Sequence, residues 1–178
     1  MRRMARADVW FDGDAPRGDA ESLFLAVVRD HSDDWLAAGL TRECTSTLAI
    51  LVPLHLQIDI PGVPRQLVNL QVGFWNDSPQ GTGVEGEWGD RYLLDAGRPS
   101  VFEHFTSPAE PHELAEVASR WLIEQLARPI ERSEWVSSSG DVVGQKWTLA
   151  DTGEVLAQTG TTRRRLARRP PDRVSRVR

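Results

Sequence analysis

The sequence predicts an α+β fold: an antiparallel sheet of five to seven strands with two amphipathic helices packed on one face. Two segments repeat apolar residues at helical spacing, and several others alternate apolar and polar residues as strands do. The predicted order is one helix, two pairs of strands, a second helix and three strands. Because helices and strands do not alternate singly, antiparallel pairing is favoured over a parallel sheet.

The first helix is predicted over residues 20–38. We expect Asp19 to cap its N-terminus and Gly39 to end it in the left-handed conformation. One face of this helix carries an apolar stripe of six residues that should face the core: Ala20, Leu23, Phe24, Val27, His31 and Trp35.

The second helix is predicted to begin at the capping box Ser107-Pro108-Ala109-Glu110, which has proline in the first turn. Pro129 should stop it, since the residue before a proline avoids helical geometry. Its predicted buried stripe contains five residues: Leu114, Val117, Ala118, Trp121 and Leu122.

The clearest strand pattern covers residues 47–60 and 66–75, joined by a turn over 61–65. Centring that turn on Val63 pairs Ile58 with Val68 and places all the polar side chains on the opposite face. Further strands are predicted at 86–94 and 101–105, followed by a meander at 130–136, 142–149 and 154–159.

Charge divides the chain into two parts, a domain over 1–162 and a basic arm over 163–178. The net charge of −5 combines −12 on the domain with +7 on the arm, which carries eight arginines and one acid. The arm lacks an apolar pattern of its own, so we expect it to be disordered.

Composition and hydropathy exclude four features. Cys44 is the one cysteine of the 178 residues, so neither an intramolecular disulfide nor a four-thiolate zinc site can form. No apolar run approaches the length of a membrane helix, and residues 1–10 hold no hydrophobic signal core. We therefore expect a soluble cytoplasmic protein.

Motifs for catalysis and cofactor binding are weak. The glycine pattern over 81–86 lacks the strand before it and the helix after it that a dinucleotide would need. Asp151-Thr152-Gly153 resembles the aspartic protease signature, with Asp95-Ala96-Gly97 as a degraded second copy, but a tight turn favours the same residues. The four histidines lack zinc-ligand spacing. We predict no catalytic residue, cofactor or metal.

The strongest candidate for a binding site is the polar face of the predicted hairpin. If both helices cover the other face, this one is left to solvent or to a partner. Four of the seven tryptophans (Trp10, Trp75, Trp88 and Trp135) lie in polar surroundings, several beside acids, which suits a protein-binding surface. The predicted partner-binding residues are His55, Gln57, Asp59, Asn69, Gln71 and Trp75.

These features predict a non-catalytic protein-binding module that attracts a basic partner to an acidic, tryptophan-bearing surface. In size, charge and fold class the chain resembles small acidic bacterial α+β proteins that bind another protein, including immunity proteins and secretion chaperones. One alternative is a hydrolase that uses Asp151 or His55. The other is a nucleic-acid-associated protein that binds phosphates through arginines of the arm: Arg163, Arg164, Arg165, Arg168 and Arg169.

Overall fold

A computed structural model describes residues 9–48, 54–65, 67–79, 81–89, 102–106, 110–160 and 169–178. Its helices are α1 (Gly18–Asp30), α2 (Ser32–Ala37) and α3 (Pro111–Leu126), with a short 3-10 turn at Arg42–Cys44. A six-stranded sheet has the order β1 (Asp12–Gly13), β2 (Thr45–Leu48), β3 (Leu54–Asp59), β4 (Asn69–Ser78), β5 (Gly81–Gly89), β6 (Phe102–Thr106). A four-stranded sheet has the order β10 (Arg173–Arg176), β7 (Ile130–Val136), β8 (Val142–Leu149), β9 (Val155–Gly160).

The α+β class is confirmed, and α1 and α3 pack on the same face of the six-stranded sheet. Phe24 of α1 stacks on Phe74 of β4, and Trp121 of α3 stacks on Phe102 of β6. A Cβ atom on Gly86 of β5 would lie 2.5 Å from the Trp121 ring, so the helix can approach β5 only over a glycine. All strands of this sheet pair antiparallel except β1 and β2, which pair parallel.

The predicted meander forms a sheet of its own. Strands β7, β8 and β9 lie where the sequence places them, and β10 returns to pair with β7 at the far edge. This order, with the fourth strand beside the first, is a Greek key. Ile130, Trp147 and Leu149 of this sheet belong to the same core cluster as the helices and the six-stranded sheet.

The first predicted helix is divided at His31, which separates α1 from α2 with φ −79° and ψ 23°. Short polar residues around the break (Asp30, Ser32) compete with the helix for backbone hydrogen bonds. Trp35 stabilises the break, because its Nε1 donates to the Val28 carbonyl oxygen at 3.1 Å. Gly39 has the predicted left-handed conformation, with φ 74°.

Both predicted helix starts are wrong. The N-cap of α1 is Arg17 rather than Asp19, and its backbone N–H donates to Glu21 Oε2 at 2.6 Å. The N-cap of α3 is Glu110, with Pro111 in the first turn, and neither N-cap residue uses its own side chain to cap its helix. Proline is suited to this position because it has no N–H to satisfy. Residues 107–109 lie outside the described part of the chain.

The β3–β4 register differs from the predicted one by two residues: Ile58 pairs with Leu70 rather than Val68. The connection is longer because it contains two successive turns, in which Val63 N donates to Ile60 O and Leu67 N to Pro64 O. Burial of the Val63 side chain holds this connection inward. Since side chains alternate with a period of two, the shift keeps every residue on its predicted face.

The prediction of a disordered arm is wrong for residues 169–178. The Asp172 carboxylate accepts from Val136 N at 2.7 Å, and Val177 N donates to Ile130 O at 2.8 Å, on either side of β10. Val177 also packs against Gly62 in the β3–β4 connection. The arm orders because β7 offers it an unpaired edge, a long-range partner that its own composition does not reveal. Residues 163–168 lie outside the described residues.

Candidate functional site

The six predicted partner-binding residues lie on one face of the six-stranded sheet, opposite the helices. Their strands place Gln57 opposite Gln71, Asp59 opposite Asn69 and His55 opposite Gly73. Strands β5 and β6 extend this face with residues that we did not predict. We call this surface the acidic sheet face and define it by His55, Gln57, Asp59, Asn69, Gln71, Trp75, Glu85, Glu87, Glu103 and Phe105.

The expectation that all six predicted residues are open to solvent is wrong. Gln57, Asn69 and Gln71 are buried, with exposed fractions of 4%, 0% and 6%. His55, Asp59 and Trp75 are half-buried. Alternation shows that a row of side chains is polar, but amides can be buried when they bond one another, as Gln71 Nε2 does to Asn69 Oδ1 at 2.8 Å.

Two buried polar atoms of this face have no hydrogen-bond partner: Gln57 Oε1 and Asn69 Nδ2. Leaving one such donor or acceptor unsatisfied costs about 1–3 kcal/mol of stability. Both atoms are closed off from solvent by the protein itself, so a partner that arrives from solution does not reach them. The Trp75 indole N–H, by contrast, interacts with the Glu85 carboxylate.

The strands that form this face are acidic. Strands β3–β6 contain no arginine and no lysine, while they carry five acids, four of which belong to the acidic sheet face: Asp59, Glu85, Glu87 and Glu103. Arg65, in the β3–β4 connection, pairs with Asp59 at 3.3 Å. Part of this charge was visible in the predicted strands, which include Glu87 and Glu103, but the acids form a cluster only because β5 pairs with both β4 and β6.

Glu85 and Glu103 lie directly opposite each other on β5 and β6. Burial raises the pKa of Glu85, the nearby Trp75 indole acts in the opposite direction, and the charge of Glu103 adds to the increase. Like charges on facing positions of two paired strands repel. Ionising the second of these two carboxyl groups therefore costs free energy.

His55 lies in the same cross-strand row as these two acids, which runs from His55 through Gly73 to Glu85 and Glu103. Burial lowers the pKa of His55, so the imidazole is uncharged at neutral pH and does not compensate the carboxylates. Neighbouring strands are about 4.8 Å apart, which puts the backbones of His55 and Glu85 about 10 Å apart. This geometry gives no contacting acid–base pair.

An aromatic row adjoins the acids. Trp75 of β4 and Phe105 of β6 lie on either side of Gly83 of β5, and both are half-buried. The Phe105 ring leans over Gly83, where a Cβ atom would lie 2.3 Å from Phe105 Cδ1. Two aromatic side chains therefore flank the paired acids at one end of the acidic sheet face.

Of the four tryptophans that we predicted to lie on a binding surface, Trp75 alone is half-buried rather than buried. Trp10, Trp88 and Trp135 are buried, with exposed fractions of 5%, 2% and 5%. Two of them find hydrogen-bond partners far away in the sequence: Trp88 Nε1 donates to Gln125 Oε1 at 3.0 Å, and Trp135 Nε1 to the Arg169 carbonyl oxygen at 3.0 Å. An indole whose N–H is satisfied is accommodated readily in a core, whereas the buried Trp10 Nε1 has no hydrogen-bond partner.

The structure does not support Asp151 as a catalytic acid. Arg128 holds it with two hydrogen bonds of 2.8 and 3.0 Å, and this interaction lowers the pKa of the exposed carboxyl. The ion pair fixes the turn between β8 and β9 to the end of α3. Asp95 lies outside the described residues. Among the residues that are described, no group of three or more His, Cys, Asp or Glu side chains is arranged to hold a metal ion.

Of the five arginines that we predicted to bind nucleic acid, the structure describes Arg169. Arg169 pairs with Asp172, and the carbonyl of Arg169 accepts the Trp135 indole N–H. Farther along, the guanidinium of Arg178 donates to the Ala38 carbonyl oxygen. Arg163, Arg164, Arg165 and Arg168 lie outside the described part of the chain. At Arg169 and Arg178, the arm is engaged within the fold.

Comparison with known proteins gives no functional guide, because no protein family, no curated protein and no solved structure matches this chain. No helix in the described ranges has both the length and the apolar character needed to cross a bilayer. The assignment of function therefore rests on the geometry of the acidic sheet face.

Proposed function

We propose that this protein is a non-catalytic binding module that takes a basic protein partner on its acidic sheet face. The observation that carries this proposal is the charge of β3–β6, which hold five acids and no arginine or lysine. A positively charged partner is attracted to such a surface and lowers the repulsion between its facing carboxylates.

The composition of the face also supports a protein partner. Trp75 is a half-buried aromatic side chain of the kind that anchors interfaces, and its neighbours offer several short polar groups.

The two alternatives fit this geometry less well. A nucleic acid would be repelled by the same carboxylates. Arg169, one of the cations that would attract it, is already paired with Asp172. A hydrolase would need acid and base groups in contact, whereas Gly73 separates His55 from Glu85 and Arg128 holds Asp151.

The role that we propose is of the immunity or chaperone type, in which an acidic protein occupies a basic surface of another protein. We place it in the cytoplasm, since its only cysteine, Cys44, is a free thiol and no disulfide stabilises the fold. Electrostatic attraction of this kind weakens with ionic strength, so the affinity should fall as salt is raised.

The proposal is tested on the partner captured from native lysate by the intact protein and identified by mass spectrometry. Calorimetry then compares Glu103→Arg and Trp75→Ala with Glu124→Arg, which makes the same charge change on an exposed position of α3. We expect each variant on the acidic sheet face to weaken binding at least tenfold, and Glu124→Arg to leave it unchanged. Equal affinity for all variants would exclude this face.

A further inference from the structure

We propose that β9 pairs in the antiparallel direction with β9 of a second copy of this chain, so that the protein forms a dimer through this strand edge. The inference concerns the four-stranded sheet and goes beyond the proposed function, since β9 shares no residue with the acidic sheet face. Three properties of β9 support it: its position at an edge, its lack of charge and the symmetry of the pairing that it can form.

Strand β9 lies at one edge of its sheet. It pairs with β8 on one side, and no strand of the described residues pairs with it on the other. The N–H and C=O groups of a strand point alternately to its two sides, so part of the β9 backbone points away from β8. Such an edge is a template on which another strand can add.

The sequence of β9 does not protect this edge. Native proteins protect edge strands with charged residues, prolines, bulges or very short length. The six residues Val155–Gly160 contain no charge and no proline, and the Val155 side chain is 51% exposed. A bulge interrupts the pairing with β8 between Val155 and Ala157, whereas the pairs from Ala157 to Gly160 are in regular register. The regular part of the strand therefore remains suited to pairing.

The other three sheet edges in the described part of the chain are protected. Strand β1 is two residues long, and two of the four residues of β10 are arginines. Strand β6 carries the exposed Glu103, so pairing β6 with its own copy would bring two more carboxylates together on a sheet that is already acidic. At β9, by contrast, two copies meet without like charges on the paired strands.

The occupant that we infer is a second copy, because a strand in antiparallel pairing can be its own partner across a two-fold axis, the commonest symmetry of oligomers. Centring the pairing on Gln158 places its exposed side chain opposite Gln158 of the second copy, and Ala157 opposite Thr159 of the second copy. An amide carries both donors and an acceptor, so two facing glutamines can bond each other.

The nearest charge in the Gln158 row is compatible with this pairing. Lys146 of β8 lies beside Gln158 on the side away from the second copy. The two lysines of a dimer would therefore be three strand spacings apart, about 14 Å. This distance exceeds the screening length of about 8 Å at physiological salt, so their repulsion is weak.

Self-association is measured by sedimentation velocity on the intact chain alone, at about 5–500 μM, because pairing of one short strand buries less area than a standard interface. We expect the weight-average mass to rise with concentration from that of a monomer towards that of a dimer. A monomer at every concentration would overturn the proposal.

Variants of Gln158 locate the contact. Gln158→Glu places two carboxylates opposite each other across the axis, while in each copy it adds a favourable neighbour to Lys146. We expect it to weaken the dimer at least tenfold. Val174→Glu makes the same change of charge at an exposed position of β10 and should leave the dimer unchanged. Thermal denaturation checks that both variants are folded.

A charge swap separates direct pairing from an indirect effect of the substitution. Gln158→Lys should also weaken the dimer, because two ammonium groups then face each other. An equimolar mixture of the Gln158→Glu and Gln158→Lys proteins should form a heterodimer, since opposite charges meet across the strands. A dimer that survives both single variants, or a mixture that stays monomeric, would contradict pairing through β9.

Discussion

The two sheets of this protein differ in which charges face each other across neighbouring strands. In the four-stranded sheet, basic and acidic residues face each other: Arg173 lies opposite Glu134, and Arg176 opposite Glu131. Arg132 also pairs with Glu134 at 3.2 Å. In the six-stranded sheet, by contrast, Glu85 faces Glu103, and β3–β6 provide no arginine or lysine.

The difference indicates a division of roles. Cross-strand pairs of opposite charge stabilise a sheet, so the charges of the four-stranded sheet act in folding. Like charges in facing positions destabilise it, so those of the six-stranded sheet are explained better by something that binds them. Variants of the two regions should therefore differ in the sign as well as the size of their effects.

The largest effect is expected on removing residues 169–178. Deletion exposes the edge of β7 and removes both the acceptor of the Trp135 indole and the contact of Val177 with Gly62. We expect a loss of about 3 kcal/mol, which for a chain of this length lowers the Tm by about 6–12 °C. Thermal denaturation measures it. A Tm within about 2 °C of the full-length value would mean that β10 does not stabilise the sheet.

A smaller loss is expected for Glu134→Gln in the four-stranded sheet. Glu134 is buried, pairs with Arg132 and accepts from Gln145 Nε2 at 2.9 Å. Removing its charge weakens a charge-assisted hydrogen bond and leaves Arg132 without its counter-ion. We expect the free energy of unfolding to fall by about 1–2 kcal/mol in denaturant titration. Unchanged stability would show that charge pairing in this sheet is incidental.

The same substitution at Glu85 in the six-stranded sheet should have the opposite sign. Because its pKa is raised in the folded protein, the charged form is disfavoured there relative to the unfolded chain. At pH 7, Glu85→Gln should therefore raise stability, by less than about 1 kcal/mol because the group is only half-buried. The gain should disappear as the pH falls below 4.5, where the unfolded chain also binds the proton. A loss of stability at pH 7 would contradict the view that the charged form of Glu85 is disfavoured in the folded protein.

The smallest effect is expected at His55, and it depends on pH. The pKa of His55 in the folded protein lies below 6.5, its value in the unfolded chain. The contribution of this histidine to the free energy of unfolding is therefore fully present above pH 6.5 and is lost as the pH falls through the folded pKa. His55→Gln should remove this part of the acid sensitivity, whereas His112→Gln, at an exposed position of α3, should retain it. Denaturant titrations at pH 7.5 and about 5 compare the three proteins. Equal acid sensitivity in all three would show that His55 is not desolvated.

Local patterns were sufficient for most of the elements. The stripes around Phe24 and Trp121 predicted helices that pack on the sheet, and alternation over 54–59 and 69–75 predicted which residues share a face. Strands β7–β9 lie within one residue of their predicted limits. These features depend on residues near one another in the chain, where the periods of helix and strand act directly.

Other features depended on partners distant in sequence. The β3–β4 register was set by the inward packing of Val63, and Gln57 and Asn69 are buried although they lie on the sheet face opposite the helices. Neither can be inferred from alternation, which gives the same polar row whether it is open or covered.

Composition and periodicity are local properties, so the α+β class, the two helix stripes and the contrast between acidic residues 1–162 and the basic arm could be predicted from the chain alone. The pairing of the arm with β7 and the meeting of Glu85 with Glu103 could not. Both are pairings between segments whose partners are chosen by the topology of the sheets. A strand edge and a like-charge pair exist only after those segments are brought together, and the binding role that we propose depends on the second of them.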